Sequence, residues 1–156
     1  MKKITQVLAL SLFVFSGALW AQQDAWLGAW KANLAKSTFT PGPPPRSNTT
    51  KREAWGANGM KYTADGVNAQ GVSGHNEFTA NYDGKDYPVK GNPNSDMVSL
   101  KRIDAHSYEW TYKKGGKVTS TGRAVASPDG KTLTVTNKGT DSQGRATGSV
   151  LVFEKQ

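Results

Sequence analysis

Alternation with a period of two runs through the middle of this chain. From Ser107 to Lys113, Tyr108, Trp110 and Tyr112 fall on one phase, and Ser107, Glu109 and Thr111 on the other. Lys131–Lys138 sets Leu133 and Val135 against Thr132, Thr134 and Thr136. His75–Tyr82 sets Phe78, Ala80 and Tyr82 against Glu77, Thr79 and Asn81. Successive side chains of a strand point to opposite faces, so this pattern predicts strands with one buried and one wet face. Turn signals separate them at steady intervals: Asn58-Gly59, Asn68 to Gly71, Asp83-Gly84, Asn92 to Asn94, Asp104 to His106, Gly115-Gly116, Asp129-Gly130 and Ser142 to Gly144. Asn-Gly and Asp-Gly accept positive φ at little cost, as a two-residue hairpin requires. The expected fold is all-β: nine or ten short antiparallel strands in a meander that closes as a barrel or folds as a sandwich.

Two stretches resist the pattern. Asp24–Leu34 places Trp26 and Trp30 four apart behind a capping Asp, which allows a helical turn before Gly28 interrupts it. Met97–Lys114 lacks Gly and Pro, yet its alternation and β-rich composition favour two strands. The segment from Thr40 to Arg46, residues 40–46, holds four prolines and reads as a stiff extended crossing rather than a recognition motif.

The first residues change the picture of where the chain works. Lys2 and Lys3 precede an apolar run from Val7 to Leu19, and Trp20-Ala21-Gln22 offers a cleavage point after Ala21. Residues 1–21 therefore read as a signal peptide and residues 22–156 as one exported domain, periplasmic or secreted; the apolar run is too short to span a bilayer. With no cysteine, the domain is expected to rest on packing and hydrogen bonds alone. The formal charge is +8, and about +6 without the two leader lysines. That favours anionic envelope components over nucleic acid, since the charges form no stripe.

Several pieces resemble known proteins. Gly28-Ala29-Trp30 opening a strand is similar to the Gly-x-Trp signature of lipocalins and fatty-acid-binding proteins, and Val152-Phe153-Glu154-Lys155 is similar to the closing strand of the latter. From Trp26 onward, Gly28 to Asn33, Lys36-Ser37, Pro41-Gly42-Pro43, Asn81 to Pro88, Leu100 to Asp104 and Tyr112 to Lys117 resemble a family of small exported bacterial proteins described as lipocalin-like. The resemblance implies an antiparallel up-and-down β-barrel of about nine or ten strands. It also implies that Trp30 closes one end, covered by Arg123, Arg102 or Arg145. It brings no activity with it. Leu151 and Phe153 stand where the arginine and tyrosine that grip a fatty-acid carboxylate would be, and Arg123 loosely matches the other interior arginine of that family. The Pro-rich segment takes the place of its two lid helices.

Rings are concentrated in Trp30, Trp55, Tyr62, Phe78, Tyr82, Tyr108, Trp110 and Tyr112. Facing inward, they fill a core or line a cavity with phenol and indole handles. Tyr62, Phe78, Tyr82, Tyr108, Trp110 and Arg123 are accordingly the expected ligand-binding residues, and the expected partner is a small hydrophobic or amphipathic molecule held inside the barrel. An envelope module with a filled barrel and a basic surface is the alternative. An unrecognised hydrolase or isomerase is the third reading, and it needs carboxylates such as Glu53, Glu77, Glu109 and Asp104 to converge. Gly71-Val72-Ser73-Gly74-His75 lacks the last glycine of a nucleophile elbow. His75 and His106 sit beside separate turns, so neither a metal nor another cofactor is expected.

Overall fold

The computed structural model describes residues 23–141 and 143–156; the expected leader and Ser142 of the last expected turn lie outside them. Ten strands follow in order: β1 Gly28–Thr40, β2 Ser47–Trp55, β3 Gly59–Val67, β4 Ser73–Asn81, β5 Tyr87–Lys90, β6 Met97–Arg102, β7 Ser107–Lys114, β8 Lys117–Ala126, β9 Thr132–Thr140 and β10 Ala146–Lys155. Each pairs antiparallel with its sequence neighbour, and β1 pairs with β10, so the meander closes into a barrel. Closure removes the free edges that a ten-strand sheet would otherwise present. Met97–Lys114 forms two strands as expected. The stretch after Asp24 makes only a turn before β1 begins, because Trp26 is drawn into the barrel floor instead of onto a helix.

The ladder is uneven. β3 and β4 pair along their whole length from Gly59–Asn81 to Val67–Ser73. β5 is held only through Glu77–Lys90 and Phe78–Val89 on one side and Tyr87–Val98 and Pro88–Met97 on the other. Pro88 has no N–H to give a ladder, which keeps this strand short. Side chains reinforce the seam: Tyr87 donates to Asp83 Oδ2 at 2.9 Å and accepts from Asn81 Nδ2 at 3.0 Å. β1 carries a bulge between Asn33 and Thr38, closed by Ser37, whose hydroxyl donates to the Asn33 carbonyl at 2.7 Å and accepts from the Val152 N–H at 3.0 Å.

The two ends differ. The start of β1, the end of β10 and the connections after β2, β4, β6 and β8 lie at one end. The Pro-rich crossing and the connections after β3, β5, β7 and β9 lie at the other. The first end is filled. Trp26, Trp30, Met60, Ala80, Leu100, Leu133 and Phe153 are buried there, with Tyr82 and Tyr108. Trp30 Nε1 donates to the Trp26 carbonyl at 2.9 Å, and Trp26 Nε1 donates to the Tyr82 hydroxyl at 2.8 Å, so neither indole leaves a buried donor unpaired.

Trp30 thus sits in the end-closing position, but none of the three expected arginines covers it. Lys155 Nζ lies 5.3 Å from its ring. Arg102 covers the neighbouring Trp26 and Tyr82, at 5.8 and 4.8 Å, while bonded to Asp24 at 2.6 Å. Arg145 pairs with Asp141 at the opposite end. The last strand runs directly beside β1, so its terminal lysine reaches the ring first.

Trp30→Ala is expected to cost about 3–5 kcal/mol of stability by emptying the floor. Trp55→Ala, at the last residue of β2 and 40% exposed, should stay within about 0.5 kcal/mol. Urea unfolding of the two variants measures the contrast.

Candidate functional site

Inward-facing side chains change character along the barrel. β10 reads Phe153, Leu151, Ser149 and Thr147 from the filled end upward, β9 reads Leu133, Val135 and Asn137, and β4 reads Ala80, Phe78 and Asn76. The upper half is accordingly not packed. It encloses a cavity of about 300 Å³, lined by amides (Asn48, Asn76, Asn137), hydroxyls (Ser120, Thr147, Ser149) and one wall of rings (Tyr62, Trp110, Tyr112). A niche of about 60 Å³ lies beneath it among Tyr62, Phe78, Leu100, Tyr108, Trp110, Tyr112 and Val135. Above, a space of about 680 Å³ opens between the Pro-rich crossing, the β3–β4 turn and the β5–β6 connection, sharing Asn48, Asn76, Asn92 and Asn94 with the cavity.

One charged side chain belongs to both cavity and niche. Arg52 of β2 is 3% exposed. Its Nε donates to the Tyr108 hydroxyl at 2.9 Å and its Nη1 to Thr50 Oγ1 at 2.5 Å. Its guanidinium lies over the rings of Tyr62 and Phe153, at 5.1 and 5.8 Å. No aspartate or glutamate lines either space. A guanidinium has five N–H donors, so three remain without a protein partner among the described residues. Desolvation disfavours its charge, but the phenols of Tyr108, Tyr62 and Tyr112 more than offset this, and the group is held cationic. The phenols stay neutral: burial pushes Tyr62 up to about 12 and Tyr112 well above its ordinary range.

Among the described residues, further polar atoms around the cavity lack a protein partner. Asn48 Oδ1, Asn76 Oδ1 and Trp110 Nε1 are all fully buried and unbonded. Trp110 lies across Gly122 of β8, where a Cβ would overlap the indole ring, so this glycine is what lets the ring lie flat against the wall.

No protein-family model matches the chain, and no curated protein matches it either. Solved structures do share its shape. Zebrafish ileal bile acid-binding protein complexed with cholic acid is 14% identical, over 85% of this chain and 99% of that one, with a TM-score of 0.51. EF1p2_mFAP2b bound to DFHBI (12%, 85% and 94%, TM-score 0.44) and the siderocalin Ex-FABP (8%, 85% and 74%, TM-score 0.39) are more distant. The likeness is one of fold, a closed antiparallel β-barrel.

In this barrel the expected ligand residues separate into three groups. Tyr62, Phe78, Tyr108 and Trp110 do meet, around the niche, and Tyr112 joins them. Tyr82 lies below, in the filled floor beside Trp26. Arg123 lies on the outer face, 3.9 Å from Glu109 and 3.2 Å from Ser107 Oγ, because Ala124 and Ala126 take the inward phase of β8. Trp55 is likewise outside. The interior arginine is Arg52, which the sequence reading passed over.

The carboxylates of the hydrolase reading do not converge. Glu53 pairs with Lys51, Glu77 with Lys90, and Glu109 lies nearest Arg123, each on the outer face, while Asp104 caps the His106 N–H in the β6–β7 connection. The two histidines stand at opposite ends of the barrel, and His75 is paired with Asp65 at 2.7 Å.

The neutral phenol of Tyr62 links stability to pH. A folded-state pKa raised above the ordinary value near 10 contributes fully below pH 10 and is lost as pH climbs toward 12. The unfolding free energy from urea titration is expected to fall over that range, by about 2 kcal/mol for Tyr62 alone. Tyr62→Phe should lose that much less than the parent between pH 10 and 12.

Proposed function

We propose that the barrel binds a small amphipathic organic anion, its acid group on Arg52 and its flat part along the cavity's ring wall of Tyr62, Trp110 and Tyr112. The carrying observation is the buried guanidinium that faces the cavity with three free donors and no carboxylate in reach. An unpaired buried charge is costly to hold, so a structure that keeps one open to a cavity is built for a counter-charge from outside. Planar guanidinium matches carboxylate in a bidentate fork, and the neutral phenols around it offer no competing anion. Trp110 Nε1, lining the same two spaces, supplies a further donor.

This reading narrows the mostly apolar cargo expected from the sequence, since half of the cavity wall is amide and hydroxyl. The shared shape with a protein complexed with cholic acid supports it only at the level of fold. We place the binding outside the cytoplasm, on the strength of the leader at residues 1–21. The basic exterior is compatible with anionic envelope components, and the open interior favours the carrier reading.

A matched pair of probes tests it: 3-phenylpropanoate and its neutral amide, titrated calorimetrically or through tryptophan fluorescence. The acid is expected to bind at least tenfold tighter, a difference of about 1.4 kcal/mol. In Arg52→Met, shown to be folded by its thermal melt, that preference should vanish. Equal binding of acid and amide to the parent protein, or an undiminished preference in the variant, would sink the proposal.

A further inference from the structure

Resting on the anion reading above, we infer that the ligand is a hydroxylated acid, recognised at its far end by Asn48 and Asn76. The two residues face inward from β2 and β4, on either side of β3. In the register Asn48 stands opposite Gly66, and Asn76 opposite Ala64. Only the methyl of Ala64 and the bare backbone of Gly66 lie between them, so nothing on β3 rises to meet either amide. Both amide oxygens are buried and without a partner, and both residues line the cavity.

A buried acceptor left unbonded costs free energy, and two of them facing one space ask for two donors. Hydroxyl groups fit better than an ammonium, because Arg52 already makes the interior cationic. Strand spacing places the two subsites relative to each other. The guanidinium reaches the level of Thr50, to which Nη1 donates, and Asn48 lies two residues further along β2. At about 3.3 Å per residue the acid and the hydroxyls are about 6–7 Å apart. β2 and β4 are two strand spacings apart, about 10 Å, so two hydroxyls set across a ring reach both amides better than one.

A long alkyl chain has no place in this arrangement. Above the niche, inward positions on β9 and β10 are Asn137, Ser149 and Thr147, and an alkyl tail passing toward the mouth would bury them without partners. The inference therefore separates hydroxylated aromatic acids from fatty acids at the same arginine.

Three probes decide it: 3-(3,5-dihydroxyphenyl)propanoate, 3-phenylpropanoate and decanoate, compared by calorimetry on the parent protein. The dihydroxy acid is expected to bind about tenfold tighter than 3-phenylpropanoate, which is about two hydrogen bonds' worth, with decanoate the weakest. In the double variant Asn48→Leu, Asn76→Leu the preference for the hydroxylated acid should fall to within twofold. Equal affinity for the two aromatic acids, or decanoate binding as tightly as the dihydroxy acid, overturns the hydroxyl subsite while leaving Arg52 as an anion site. Failure of all three acids to bind overturns both. The parent comparison needs no variant, so misfolding of the double variant leaves the test intact.

Discussion

The hydrogen bond from Arg52 Nε to the Tyr108 hydroxyl marks the level at which this barrel stops being a core and becomes a container. Below it Tyr108 packs against Trp26 at 5.2 Å and Tyr82 at 6.0 Å, and every indole donor in that layer is bonded. Above it lie the cavity and its unbonded amides. Tyr108 therefore serves two environments with one side chain: its ring closes the floor and its hydroxyl fixes a charge. The floor's rigidity is what aims the guanidinium upward, with Thr50 and the Tyr62 and Phe153 faces completing its setting. A guanidinium held this way is ordered in advance, which would reduce what association with the proposed anion must overcome.

Dense packing and open space are divided along the barrel axis. Aromatic and aliphatic burial is concentrated at the filled end, where Trp26, Trp30, Met60, Leu100 and Leu133 are excluded from water. The opposite half has an interior that packs poorly and is held by its ladders. There the β3–β4 and β9–β10 pairings run almost full length, whereas β5 is attached at both sides by a few residues beside the mouth. Weakly laddered strands open most readily, so β5 is expected to be the least protected stretch of the wall in hydrogen exchange.

Sequence alternation was legible wherever the interior is apolar and silent wherever it is not. β7 and β9 stand out because Tyr108, Trp110, Leu133 and Val135 contrast with the threonines and charges outside. The fold class, strand spacing and the two-residue Gly115-Gly116 hairpin followed from such contrasts and from turn chemistry. β2 offers no contrast: Ser47 to Glu53 is polar on both phases, so Arg52 reads as one more surface cation. The role expected of Arg123 rested on a family likeness, and the inward phase of β8, set by Ala124 and Ala126, turns it outward. The residues around the niche were found because rings announce themselves. The amides were not, because asparagine in a β-protein reads first as turn chemistry.

The missing signal was nevertheless present in cross-strand form. The β2–β3 hairpin turns through Gly56 to Asn58, with the positive φ at Gly56 rather than at the expected Asn58-Gly59 pair, and its register sets Arg52 opposite Tyr62 and Thr50 opposite Ala64. β3 has a readable phase, with Met60 and Tyr62 apolar against Lys61 and Thr63. Directly opposed residues in an antiparallel pair share a face, so the phase of β3 dictates that of β2 and carries Arg52 inside. An inward arginine in a chain without a facing acid then calls for a counter-charge the protein does not itself contain. Binding function in such a barrel is thus written less in which residues are apolar than in which polar residues the register forces indoors.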